Sequence, residues 1–511
     1  MAARTLPGLL AEAAADSPNS EALVFGERRL TFAALHAEVR QFAAAALAVG
    51  VQPGDRAAVW APNSDRWVVA ALGLTSVGAI LVPVNTRFKG EEAQHVLANT
   101  RASVLVVDNA FLGVDRAGQL AAEQPLPSLQ HVVAMDDASW SAFLAEGADV
   151  SSEQVAAVAA SVAPSDISDI IFTSGTTGRP KGAMVTHEQS VRVFQCWAET
   201  VGLTSSDRML VVSPFFHTFG YKAGLLACLL QRATLLPVQV FDVEATLALV
   251  EAERASVIPG APTLYASLLE HPRRTSYDLS SVRLAVTGAS VVPTELIRRM
   301  REELGFDSVL TAYGLTESCG YATGCHTGDA DEVVSLTSGR AIADVEVIVV
   351  DSEGTPVACG EPGEVLVRGY NVMVGYWEDP AATQAAIDKD GWLHTGDVGV
   401  LDEAGNLRIT DRLKDMFVVG GFNAYPAEVE QVLVRHPAVA EAAVIGVADD
   451  RLGEVGKAFV VARTGTMPEP EALIEWCRER LAGYKVPRTV ELVQALPRNA
   501  TGKVDKKLLR G

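Results

Sequence analysis

The chain has 511 residues, 49% of them hydrophobic and 21% charged, a globular composition too long for one ordinary core, so two or more domains are expected. Asp and Glu total 63 against 42 Lys and Arg, a net charge of -21 that argues against a nucleic-acid partner. Any polyanionic substrate would need local basic groups and backbone N–H donors to overcome that charge.

Residues Met1 to Pro18 carry one basic residue, a short Leu-Pro-Gly-Leu-Leu patch and Glu12, with no signal-peptide core. A cytoplasmic location is expected. From Ala22 to about Pro164, strand-like runs at 57–60, 80–82 and 104–107 alternate with alanine-rich helical stretches at 11–15, 43–48 and 155–160. That alternation predicts α/β layers around a mostly parallel sheet. The uncharged run Trp67 to Val84 is long enough to raise a membrane flag. Gly73, Gly78 and Pro83 break it, so a buried helix running into a buried strand is expected, with no membrane span. The 6 cysteines form no Cys-x-x-Cys pair and are read as buried thiols. Cys319, Cys325 and His326 lack a second cluster and make a poor metal set.

Thr173-Ser174-Gly175-Thr176-Thr177-Gly178-Arg179-Pro180-Lys181-Gly182 follows the apolar Ile170-Ile171-Phe172 and precedes Val185-Thr186-His187-Glu188-Gln189. It reads as strand, loop and helix. Glycines at 175, 178 and 182 allow close backbone approach to a bulky anion, hydroxyls suit phosphate oxygens, and Lys181 adds charge. It is not a Walker loop, because Arg179 and Pro180 separate Gly178 from Lys181. Thr186 with Gln189 predicts a capping box for the helix that follows.

An aromatic cluster around His217 comes next, Ser213 to Gly224, opening an apolar run to Leu230. Lys222 is the lone charge there. It either snorkels to solvent or projects into a substrate pocket to bond a carbonyl. Small residues such as Gly224 would leave room for a wide substrate, although helix packing explains them equally. Further on, Leu284 to Ser290 and Val309 to Glu317 read as strands ending in small residues and a polar turn, where a flat ligand can approach the sheet edge.

The decapeptide at 173–182 resembles the phosphate loop of the adenylate-forming superfamily: acyl-CoA synthetases, firefly-type luciferases and peptide-synthetase adenylation domains. The later motifs occur in that family's order through Lys503. The resemblance implies a large N-terminal domain (1–411) of layered α/β sheets with a small β-rich subdomain, a hinge (412–415) at Lys414, and a small mobile α+β C-terminal lid (416–511). ATP, Mg²⁺ and coenzyme A are implied as substrates and cofactor.

The resemblance assigns the phosphate loop to Thr173, Ser174, Gly175, Thr176, Thr177, Gly178 and Lys181. It assigns adenine packing to Gly288, Ala289, Tyr313 and Gly314, phosphate contact to Thr316, and magnesium to Glu317. Ribose contacts fall on Asp397 and Arg412, the pantetheine channel borders Gly421, and Lys503 bridges the substrate carboxylate and α-phosphate. His217, Lys222, Gly224, Gly288 and Gly314 are expected to line the acyl pocket.

Such an enzyme joins a carboxylic acid to AMP and then to CoA. Within the superfamily, residues 214–224, 260–262 and 412–425 look most like actinobacterial ligases acting on the bicyclic diketo propanoate remnant of sterols. Medium- or long-chain, cyclic or aryl acid ligases share much of the pattern. A stand-alone enzyme loading a carrier protein is a further alternative, but the pocket motifs hold no acidic residue placed to pair a substrate amine. A luciferase-like oxygenase shares the adenylation motifs, and a non-enzymatic paralogue would be expected to lack Thr316, Glu317 or Lys503, all present. A homodimer is left open.

Overall fold

The computed structural model describes residues 4–173, 180–288, 292–412, 415–419, 422–449, 451–481, 483–498 and 503–510. It divides into two compact units, Met1–Val347 with Val367–Leu393, and Ile348–Leu366 with His394–Gly511. This partition differs from the expected division at 412–415, because residues 348–366 pair with strands that follow Trp392 in sequence. Lys414 lies outside the described residues, and a hinge there stays a proposal.

The first unit is built on two sheets. One is 7-stranded, with Ile80–Pro83, Arg56–Trp60, Val104–Val107 and His131–Ala134 parallel to one another. Its other half contains β1 (Ile167–Thr173), parallel to Ile80–Pro83, and β2 (Lys181–Thr186), antiparallel to β1. The second sheet is 9-stranded and mostly parallel, and includes β3 (Leu284–Gly288) beside β4 (Ser308–Tyr313). Parallel strands covered on both faces read as continuous apolar runs, and Val104–Val107 is buried throughout.

The flagged run Trp67 to Val84 is a buried helix, Asp65–Ser76, feeding the buried strand Ile80–Pro83, capped at its start by the Ser64 hydroxyl. No helix among the described residues is long and apolar enough to cross a membrane.

The chain after Thr173 departs from the strand-loop-helix expectation. Residues 174–180 join two antiparallel strands, and the helix α1 (His187–Val201) starts only after β2. A Cβ on Gly182 would sit 2.6 Å from Ile170 Cγ2, so the glycine lets β2 pack closely on β1. The predicted capping box is present. Gln189 N–H donates to Thr186 Oγ1 at 3.2 Å, and Thr186 N–H donates to Gln189 Oε1 at 3.0 Å.

The second unit contains a 5-stranded sheet dominated by the antiparallel pair Val439–Asp449 and Gly453–Ala462. Its core gathers Phe417, Val429, Leu433, Val444, Val460 and Leu473. The helix Pro426–Val434 opens with proline in its first turn, where the missing N–H costs nothing. The cysteines are not uniformly buried thiols: Cys228, Cys319, Cys325 and Cys477 are buried, Cys196 is half-buried and Cys359 exposed.

Candidate active site

β1 ends at Thr173, and a short 3-10 helix, Thr316–Ser318, follows β4. These chain ends meet. The Thr173 hydroxyl donates to Glu317 Oε1 at 3.2 Å, and the Tyr376 hydroxyl donates to the same oxygen at 2.8 Å. The Glu317 carbonyl accepts from Met373 N–H at 2.8 Å, which fixes the backbone of the turn. Lys181 Nζ lies 5.2 Å from the centre of the Tyr376 ring, within cation–π range. Burial and the neighbouring Glu317 charge push the Tyr376 phenol well above its ordinary pKa, so it remains a donor.

Thr173, Lys181, Thr316 and Glu317 were expected from sequence, and the structure brings Thr173, Lys181 and Glu317 together. Tyr376 was missed. Its signal was faint, a tyrosine in the expected β-rich stretch, visible only once the strand Gly375–Tyr376 pairs with β2.

Both hydroxyls approach Oε1, leaving Glu317 Oε2 without a hydrogen-bond donor among the described residues. A half-buried carboxylate oxygen of this kind suits a hard cation such as Mg²⁺. No group of three or more His, Cys, Asp or Glu among the described residues could cage a metal, so the remaining ligands would be phosphate and water oxygens.

The glycines expected around the nucleotide and acyl group also have a local packing reason. A Cβ on Gly288 would lie 2.7 Å from the Ala312 carbonyl oxygen, one on Gly314 2.4 Å from the Gly320 backbone, and one on Gly224 2.9 Å from Val211 Cγ1. Their missing side chains make room for protein. Gly224 belongs to a π-helix, Phe219–Leu226, and the absent side chain lets it pack on the strand Arg208–Val211. His217, half-buried, precedes this helix; its N–H donates to the Pro214 carbonyl and its own carbonyl accepts from Tyr221 N–H, both at 3.0 Å. Tyr313 ends β4, half-buried.

Lys222 is placed contrary to both expectations. Its side chain is 0% exposed, so it does not snorkel. Nζ lies 3.0 Å from Asp169 Oδ1, donates to Ser190 Oγ at 3.0 Å and approaches Cys319 Sγ at 3.7 Å. With its ammonium fully buried against an ion-pair partner and two hydrogen-bond partners from the protein, Lys222 is not presented to a substrate ketone. Burial alone would lower its pKa, but Asp169 and Cys319 more than offset this, and Lys222 stays charged.

In the second unit, Asp397 is buried and sits in register opposite Arg412 on the antiparallel pair Leu393–Leu401 and Leu407–Arg412. The two residues expected at ribose are therefore cross-strand neighbours. Asp397 N–H donates to Thr395 Oγ1 at 3.1 Å. Lys503 is exposed, beside the bridge pairing Arg498 with Val504. Ser174, Gly175, Thr176, Thr177, Gly178, Ala289, Lys414 and Gly421 lie outside the described residues, as does the side chain of Arg412.

A family model described as AMP-binding enzyme matches residues 10–377, and one described as AMP-binding enzyme C-terminal domain matches 428–503. The chain belongs to the AMP-binding enzyme family. A 3-(7a-methyl-1,5-dioxo-octahydro-1H-inden-4-yl)propanoyl:CoA ligase of Mycobacterium tuberculosis is 53% identical over 511 residues, covering 99% of this chain and 98% of the relative. A ligase of the same description from Rhodococcus jostii is 51% identical over 516 residues, with coverage of 99% and 98%. An anthranilate CoA ligase in complex with anthranoyl-AMP superposes with a TM-score of 0.86 at 29% identity, covering 99% of this chain and 96% of that one. The fold is that of this AMP-binding enzyme family, whose members include CoA ligases.

Proposed function

We propose that this protein is an AMP-forming CoA ligase whose acid is a bicyclic, diketone-bearing propanoate. The observation that carries the substrate is the 53% and 51% identity, along nearly the whole chain, to two ligases described by that acid. The reaction class is supported further by the meeting of Thr173, Lys181 and Glu317 where the resemblance assigns ATP phosphates.

In the first half-reaction a carboxylate oxygen attacks the α-phosphorus, the bond to the bridging β-phosphate oxygen breaks, and pyrophosphate leaves with acyl-AMP formed. Lys181 and the Thr316 and Thr173 hydroxyls are assigned to phosphate oxygens, and Glu317 to Mg²⁺, which when bound supplies charge neutralisation on the phosphates. Lys503 is assigned to the substrate carboxylate and α-phosphate. In the second, the CoA sulfur attacks the acyl carbon, the bond from that carbon to the phosphate oxygen breaks, and AMP leaves. The two steps need different groups beside the acyl carbon, and a hinge at Lys414 is the proposed means of exchanging them.

Exchange of labelled pyrophosphate into ATP, without CoA, tests the first step. Exchange that depends on the bicyclic propanoic acid is expected. Its absence with every acid in a panel of bicyclic, aryl and straight-chain acids would remove the reading.

A further inference from the structure

Asp169, Ser190, Lys222 and Cys319 form a cluster, each residue buried, that no step of the proposed reaction uses. Asp169 is the one charged residue of the strand β1. Ser168 Oγ donates to its Oδ2 at 2.6 Å, and Lys222 faces its Oδ1. Side chains alternate along a strand, so Asp169 and Thr173 share one face of β1. Cys319 follows the Thr316–Ser318 turn with φ +55°, a left-handed conformation that a residue with a Cβ adopts only when its surroundings hold it.

The same two segments are therefore bridged twice. At the site end, Thr173 bonds Glu317. Deeper, Asp169 on β1 and Cys319 just beyond Glu317 are joined through the ammonium of Lys222, which also takes Ser190 on α1. The lysine reaches this point from a π-helix, and such irregular turns are frequent at functional sites. We propose that Lys222 is a positioning residue: by tying Asp169 to Cys319 it sets β1 against the Thr316–Ser318 turn and holds the Thr173 hydroxyl and Glu317 carboxylate in register for acyl-AMP formation.

The proposal rests on the ligase reading, and acyl-AMP formation by the unaltered enzyme checks that reading separately in the same assay. Lys222→Met alone leaves a buried carboxylate unpaired and is expected to weaken the fold. The Asp169→Asn/Lys222→Met double variant removes both charges at similar volume. Folded, it is expected to lose about tenfold or more in kcat for acyl-AMP formation, with KM for the acid within about twofold. The factor is expected to be equal for a ketone-bearing acid and an alkanoate, with thioester formation from supplied acyl-AMP unchanged. Ser190→Ala, which leaves the charges paired, is expected to show a smaller loss in the same step and reports even if the double variant does not fold. Wild-type kcat in a folded double variant or in Ser190→Ala, or a loss confined to KM for the ketone-bearing acid, would overturn the proposal.

Discussion

The Thr173 hydroxyl and the Glu317 carboxylate, 144 residues apart in sequence, meet at 3.2 Å where a strand of one sheet and a turn from the other converge. With Tyr376 on the same oxygen, the carboxylate is aimed before any nucleotide arrives. Tyr376→Phe removes one donor to a charged acceptor, an interaction of about 1.5–3 kcal/mol. Acyl-AMP formation is expected to slow by about tenfold or more, read as acid-dependent pyrophosphate release, with the melting temperature little changed. Unaltered release would show that the hydroxyl does not orient Glu317.

Lys503→Ala removes the cation assigned to the carboxylate and α-phosphate, where charge grows in the adenylation transition state. A loss of about 10²-fold or more in acyl-AMP formation is expected, while thioester formation from supplied acyl-AMP largely survives. Single-turnover measurements of each half-reaction decide it. An equal loss in both would withdraw the assignment.

His187 gives a pH dependence of stability. It is buried, Leu6 N–H donates to its Nδ1 at 3.3 Å, and burial, helped by Lys222 and opposed by Asp169 and Asp166, lowers its pKa from 6.5 to about 4. The folded state holds it neutral while the unfolded chain takes up a proton at higher pH. This contribution is therefore full above pH 6.5 and is lost as the pH falls toward 4. Between pH 7 and pH 5 it should cost about 2 kcal/mol. Urea titrations of the protein and of His187→Asn at both pH values isolate it; the variant should lack this share of the difference.

The glycine contacts separate packing from substrate accommodation. Gly224→Ala puts a methyl against Val211, whose side chain can shift, and should destabilise by about 1–3 kcal/mol. Gly314→Ala meets the Gly320 backbone and should cost more. If these glycines serve packing, Gly224→Ala leaves the ranking of acids by kcat/KM unchanged. Selective loss of the bulkiest acids would return Gly224 to the acyl pocket.

The parallel core was legible because its strands, such as Val104–Val107, are buried on both faces and need continuous apolar runs. The capping box at Thr186 and Gln189 was legible because both partners lie within one turn. What failed depended on distant neighbours. β2 was read as loop because its partner face became visible only through Gly182 packing on Ile170. A glycine looks the same in sequence whether ligand or protein fills its space, so the packing contacts of Gly224, Gly288 and Gly314 are not legible there. Lys222 stands out in sequence as a lone charge, but its partner Asp169 lies on the distant strand β1, next to Ser168 and near Asp166, where nothing in the sequence marks it as the counter-ion.

The central claim is tested most directly by mass-spectrometric detection of thioester formed with ATP, Mg²⁺ and CoA across bicyclic diketo propanoic, alicyclic, aryl and straight-chain acids. The account predicts acyl-CoA with a strong preference for the bicyclic acids, set by kcat/KM. Preferential turnover of alkanoates or aryl acids would contradict the substrate assignment, and acyl-AMP without thioester on every acid would contradict CoA as the acceptor.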